Sequence, residues 1–293
     1  MRLDLALIRL HPTLSRRKAR AAIEKGQVSV DGARVREAGH EVTERAKVAW
    51  DPNRPSLPRA RCSLPILHED RHVLVVDKPA GLLSVPTGPR ERPEDTVLSR
   101  VQEYVAHLRP RGGFVERVHR LDRDTSGALA FALSREARAA LIQMFRAHRI
   151  ERRYLAIVAG SPRAEQGVVE APLRDAWVSG RRAVARGDEP HKPALTRWTV
   201  RERLADAALL EVELETGRQH QVRIHLAHIG LPILGDEVYG TPRVGRIAAR
   251  RPMLHAWRLE FAHPLTEGRV SVKSAVPADI SRALSRLRRG VVS

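Results

Sequence analysis

The chain is short of sulfur, aromatic rings, acids and long apolar runs. Cys62 is the single cysteine in 293 residues, so neither an intrachain disulfide nor a cysteine-rich zinc site can form, and a reducing cytoplasm fits. Phe, Trp and Tyr together make up 4% of the residues, which makes an aromatic ring among charged neighbours conspicuous. No segment is apolar for the length a spanning helix needs. The opening MRLDLALIRL is broken by Asp4 and Arg9, and no small-residue cleavage site follows. It therefore reads as an amphipathic helix with Leu3, Ala6, Leu7 and Leu10 on one face, not as a signal peptide. Acids are outnumbered: 34 Asp and Glu stand against 52 Lys and Arg, a balance of +18. Such a field favours polyanions, and nucleic acid is the expected partner.

Three familiar chemistries are also missing. GLLSVPTGP lacks the Gly-Lys-Ser/Thr ending of a triphosphate loop. His220, His225 and His228 match no zinc spacing. Ser126 is not set in a nucleophile-elbow pattern.

Residues 1–50 read as a compact basic unit. Ser15 can cap a second helix carrying Arg16, Arg17, Lys18 and Arg20, and Gly26 ends it. Val28, Val30 and Val35 flank Asp31-Gly32, a tight-hairpin signal. Up to Arg61 there are 14 Lys/Arg and 7 Asp/Glu; the rest of the chain carries 38 and 27. The basic helix is either an RNA-binding face or a solvated charged surface. Pro52, Pro55, Pro58 and Pro65 then mark a linker over 51–63. A larger domain follows over 64–280, with a basic tail over 281–293 that reads as a short surface helix. Within it, HVLVVDKPAG, ALAFAL, RRYLAIVAG, ALLEVELETG and RLEFAHP read as strands and residues 135–148 as a helix. This predicts an α+β fold around a largely antiparallel sheet.

His119–Gly127, HRLDRDTSG, sets two acids among cations. Alternation points Leu121 inward and puts Arg120 and Asp122 on the opposite face, with Asp122 at a strand end. A neighbouring cation favours the charged form of a carboxylate, and a held carboxylate can serve as nucleophile or base at a sugar carbon. An Asp-Arg pair that merely caps a turn has the same spacing, and the residues alone leave both readings open.

VHRLDRDTSGALAFAL is similar to the signature of the RluA-type pseudouridine synthases: His-Arg-Leu-Asp, two variable residues, then Thr-Ser-Gly, with every fixed position matched. ILHEDRHVLVVDKPAGLLSVPTG, IERRYLAIVAG, LETGRQHQVRIHLAHIGLPILGDEVYG and LHAWRLEFAHP resemble the family's other motifs in the family's order, over roughly residues 64–280. The resemblance implies an enzyme that turns uridine in RNA into its C-glycoside isomer. Its implied fold is a mixed, largely antiparallel sheet with flanking helices around a central cleft.

It further implies Asp122 as the essential carboxylate, Tyr154 beneath the base, Arg223 as the basic partner of Asp122, and Arg120 in the gap left by a flipped nucleotide. His119, Thr125, Ser126, Arg218, His220 and Gln221 are the expected substrate contacts or loop-ordering residues, and Asp124 falls on a variable position. Residues 1–50 resemble the small module first described in a ribosomal small-subunit protein, with Arg16, Arg17, Lys18 and Arg20 as RNA contacts. No metal, cofactor, membrane or obligatory protein partner is implied, and a monomer is expected. The module favours large-subunit ribosomal RNA over transfer RNA as the substrate. A fold retained only for RNA binding predicts loss of Asp122, Tyr154 or Arg223, all of which are present. A nucleoside hydrolase predicts a calcium-binding aspartate cluster, which is missing.

Overall fold

The computed structural model describes residues 1–35, 38–54, 62–86, 95–109, 112–178, 180–241, 243–244 and 247–290. Pro55 and Pro58 of the expected linker, residues 87–89 of the GLLSVPTGP loop and the last three residues of the tail lie outside them. The chain divides into two compact units, Met1–Ser63 with Val101–Gly113 and Leu64–Arg100 with Phe114–Ser293.

The first unit opens with α1 (Leu3–Leu10) and α2 (Arg16–Glu24), followed by β1 (Val28–Val30), β2 (Ala33–Val35) and β3 (Val48–Trp50) in the antiparallel order β2-β1-β3. The Ser15 hydroxyl accepts a hydrogen bond from Lys18 N at 3.3 Å and caps α2. Asp31 and Gly32, at φ 51° and 81°, make the two-residue turn between β1 and β2. Leu3, Ala6 and Leu7 pack on Ala19, Ile23, Val28 and Val30.

The expected apolar face of α1 is corrected at one end. Leu10 is 55% exposed, and Asp4 is the residue that is fully buried. The reason is electrostatic: Arg2 Nε and Arg20 Nε lie 3.0 Å from the Asp4 carboxylate and Arg16 Nε 3.5 Å from it. Burial works against the charge, but the hydrogen bonds from Arg2 and Arg20 outweigh it and hold the carboxyl down at about 2.

The helix α3 (Val97–Leu108) has residues in both units. The second unit is built on a ten-stranded sheet. Its strands are β4 (Ile66–Glu69), β5 (Val73–Lys78), β6 (Glu116–Arg117), β7 (Ser126–Ala132), β8 (Glu151–Ala159), β9 (Gln166–Glu170), β12 (Leu195–Arg203), β13 (Ala207–Leu214), β16 (Leu254–Ala262) and β17 (Arg269–Lys273). Two-stranded ribbons β10 (Leu173–Arg174) with β11 (His191–Lys192), and β14 (Arg243–Val244) with β15 (Ile247–Ala248), stand apart from it. The helices are α4 (Arg135–Arg146), α5 (Gln221–His228) and α6 (Ala278–Arg288).

The main path runs β4-β5-β7-β16-β8-β13-β12-β9, with β17 on β16 and β6 on β7. Every pairing in it is antiparallel except β7 with β16, which is parallel. That pairing brings Gly127 against Ala256. At φ 119° a Cβ on residue 127 would run into the Ala256 carbonyl oxygen, so glycine is required there.

One core cluster joins β5, β7, β16 and β17 to Ala137 and Leu141 of α4; another joins Ile157, Ala207 and Leu234 to α6. The short helix expected in the basic tail is the greater part of α6, and it buries one side. Ile280, Ala283, Leu284 and Leu287 recur at helical spacing and are buried, while Arg288 is bound by Glu202 at 2.6 Å. Among the described residues, no helix is long and apolar enough to cross a membrane.

Candidate active site

Residues 118–125 cross from β6 to β7 without regular structure, so Asp122 lies in a loop and not at the expected strand end. The loop is fixed by its main chain. Leu121 is buried as alternation predicts, and the Ser84 hydroxyl both donates to its carbonyl at 2.6 Å and accepts from its N–H at 3.0 Å. The Arg123 carbonyl accepts from Lys78 Nζ at 2.6 Å and from Gly81 N at 3.0 Å. Thr125 N donates to the Asp122 carbonyl at 3.2 Å and closes the turn before β7. Lys78 is fully buried. Burial pushes its ammonium down to about 7, against the pull of Asp124 and Asp122. With the backbone held on both sides, the Asp122 side chain opens into a cleft of about 740 Å³.

The facing wall comes from α5 and the turn before it. His220 caps α5 in the left-handed region, at φ 60°. Gln221 orders the turn: its carbonyl oxygen accepts from Thr216 Oγ1 and Arg218 N at 2.8 and 2.9 Å, and its amide donates to Leu195 O and Thr196 Oγ1, both at 3.0 Å. Arg223 stands one turn into the helix. Nε and Nη2 grip both oxygens of the buried Asp236 at 2.6 and 2.7 Å, and Nη1 lies 3.6 Å from Asp122 Oδ2. Burial opposes the guanidinium charge, but the Asp236 carboxylate outweighs it and the pKa of Arg223 is raised. Its cation also sits 5.0 Å from the Tyr239 ring centre.

His220 places Nε2 3.9 Å from Asp122 Oδ1, and its Nδ1 meets the Tyr239 hydroxyl at 3.1 Å. Burial lowers its pKa, so the ring is neutral at physiological pH and this contact is not an ion pair. Arg182 N donates to the same hydroxyl at 3.1 Å; a phenolic proton given to Nδ1 would set the imidazole proton on Nε2, on the side of Asp122.

Tyr154 lies on β8 with its ring buried in the same cleft. Burial, against the pull of the Arg152 cation and with a smaller push from Asp122, raises its phenol to about 12. Arg120 is exposed at the cleft wall. Asp122, Tyr154, Arg223, Arg120, Arg218 and Thr125 all line the one cleft.

The remaining expected contacts are arranged differently. His119 reaches the cleft but accepts from Ala130 N at 2.9 Å, and burial drives its pKa down to about 3, making it an uncharged prop. Ser126 is buried and bonded to His255 Nδ1 at 3.0 Å, and is not among the residues that line the cleft. Arg16, Arg17, Lys18 and Arg20 belong to the other unit, where Arg16 and Arg20 are spent on Asp4 and Arg17 and Lys18 are exposed.

Sequence reasoning missed Asp236, Tyr239 and Ser84, and saw Lys78 without giving it a task. An acid inside the apolar stretch PILGDEVYG was the available signal for Asp236.

The chain matches the family model described as RNA pseudouridylate synthase over residues 72–228 and the S4 domain over residues 1–48. It is 36% identical over 304 residues to the ribosomal large subunit pseudouridine synthase D of Xanthomonas campestris pv. campestris, across 98% of this chain and 89% of that protein. Against the ribosomal large subunit pseudouridine synthase C of Escherichia coli strain K12 the identity is 34%, across 91% and 86%. Among solved structures, human RNA pseudouridylate synthase domain containing 4 has the same fold, with a TM-score of 0.64 at 24% identity, over 76% of this chain and 93% of that one.

Proposed function

The chain belongs to the RNA pseudouridylate synthase family and isomerises uridine in RNA; from that premise we propose that its substrate is large-subunit ribosomal RNA and that Asp122 is the group that acts at the ribose. The observation that carries the second part is the Asp122–Arg223 pairing at 3.6 Å inside a cleft of nucleotide size. The ribosomal substrate rests on the names of the two bacterial relatives.

In the reaction the N1–C1′ bond breaks, the uracil turns, and C5 bonds to the same C1′. C5 loses its proton and N1 gains one, so nothing is oxidised or reduced. Duplex or stacked RNA hides the sugar carbon, and extruding the nucleotide costs a few kcal/mol. Arg120, exposed at the cleft, fills the place it leaves. Asp122 then meets the ribose with its backbone fixed by Ser84 and Lys78. Arg223 cannot turn away, because Asp236 holds its other edge. A planar cation gripped on one side keeps its free edge aimed at the carboxylate.

Tyr154 lies under the uracil as a neutral ring whose hydroxyl relays the C5 proton. Tyr154→Phe keeps the ring and removes the relay. RNA affinity is expected to persist while turnover falls by about 10²-fold. Single-turnover kinetics beside filter binding check this, and unchanged turnover would leave Tyr154 as a packing residue only.

We take residues 1–50 as the RNA-binding module, 51–63 as the linker and 64–280 as the catalytic domain, in a monomer working in the cytoplasm. Arg17 and Lys18 are exposed on α2 and act on phosphates. Replacing both with alanine is expected to weaken binding and to reduce the slope of log K against log salt by about 2, roughly one per charge. Binding measured over a salt series tests this, and an unchanged slope removes α2 from the interface.

A further inference from the structure

Trp177 is 46% exposed and Val178 beside it 52% exposed, in a chain that has only four tryptophans. Leaving an indole in water forgoes one of the larger burial gains available to a side chain. Both residues stand at the tip of the arm that carries β10 and β11. Val178 and Arg181 exchange backbone hydrogen bonds of 2.9 and 3.0 Å, and Gly180 at φ 70° helps the chain reverse. The arm is basic, with Arg174, Arg181, Arg182, Arg186 and Lys192 against Asp175, Asp188 and Glu189.

The tip is not remote from the chemistry. The Trp177 ring meets His220 edge-on, with centroids 5.3 Å apart, and His220 is the residue whose Nε2 faces Asp122. Arg182 N, on the returning strand of the arm, donates to the Tyr239 hydroxyl, which in turn bonds His220. The indole is thus tied to the cleft wall through one neutral imidazole while much of its surface stays open.

On the RNA-modifying reading given above, we infer that Trp177 is a stacking platform for an unpaired base adjacent to the extruded uridine, with the exposed arginines of the arm, Arg181 and Arg186, on the flanking phosphates. A nucleobase offers a flat π-face to an indole whatever its identity, and the neighbouring guanidinium groups match the phosphate charge. The positive arm and the adjacency to the reacting carboxylate favour nucleic acid over a protein partner for this tip.

The test compares Trp177→Ala, Trp177→Phe and the parent full-length chain on two probes: an unmodified large-subunit ribosomal RNA transcript and a twelve-nucleotide oligouridylate. Trp177→Ala is expected to raise KM on the transcript and Kd on the oligonucleotide about tenfold, with the loss in KM and not in kcat. Trp177→Phe is expected to recover most of it, because a ring suffices. Thermal melts should coincide, since the ring is half in solvent. Alanine binding as tightly as the parent, or phenylalanine as weak as alanine, overturns the platform; the first result would turn the exposed tip towards a protein contact. If the parent forms no pseudouridine in the transcript, the substrate reading fails, and the oligouridylate arm still decides the role of Trp177.

Discussion

Asp122→Asn is expected to abolish pseudouridine formation, lowering turnover by about 10⁴-fold or more, while RNA affinity and thermal stability stay near those of the parent chain. The amide keeps the size of the side chain and removes the negative oxygen to which we assign the step at the ribose. The fold should not suffer, because the turn is built on backbone groups: Ser84 on Leu121, and Lys78 and Gly81 on Arg123. Arg223 is not orphaned either, since Asp236 still binds it through both oxygens. Tritium release from C5-labelled uridine, read beside filter binding, separates chemistry from affinity. A variant that retains a tenth of parent activity would remove Asp122 from the centre of the reaction.

Asp236→Asn is expected to be the most damaging change that touches no substrate. It takes from a guanidinium that is only 9% exposed the carboxylate that grips it at 2.6 Å, leaving Asp122 at 3.6 Å as its remaining charged partner. Breaking one side of a buried pair costs about 3–5 kcal/mol. The same carboxylate accepts from Val238 N and Tyr239 N at 3.0 and 3.1 Å, so the 236–239 turn loosens with it. Urea unfolding should show the stability loss, and kcat should fall because the Arg223 edge facing Asp122 is no longer fixed.

Acid should imitate the mutation. Burial works against the Asp236 charge, but Arg223 more than compensates and the folded pKa lies below the 3.8 of a free aspartate. The stabilisation is therefore complete above that value and is lost as pH falls through the folded one. A variant as stable as the parent at neutral pH would show that the pair contributes nothing.

The legible parts of this molecule were those written in consecutive residues. Leu121 between Arg120 and Asp122 predicted its own burial, Asp31-Gly32 its hairpin, and the apolar run 128–133 the strand that follows the Asp122 loop. Motif order located Asp122, Tyr154 and Arg223 before any geometry was known, and all three line one cleft. The obscured parts depend on partners distant in sequence. Asp4 was read only as a break in the opening apolar run, when it is the anchor for Arg2, Arg16 and Arg20. Nothing near Arg223 revealed that an acid 13 residues later would hold it, or that Lys78 would reach the carbonyl of Arg123, 45 residues on. Ser126 was expected as a substrate contact or a loop-ordering residue, and the parallel pairing of β7 with β16 sets it against His255.

The ribbon of β10 and β11 shares no ladder with the ten-stranded sheet. Changing its length or sequence would shift no register in that sheet. It does touch the wall opposite Asp122, through Arg182 N on the Tyr239 hydroxyl and the Trp177 ring on His220, so a graft at this hairpin has to carry those two contacts with it.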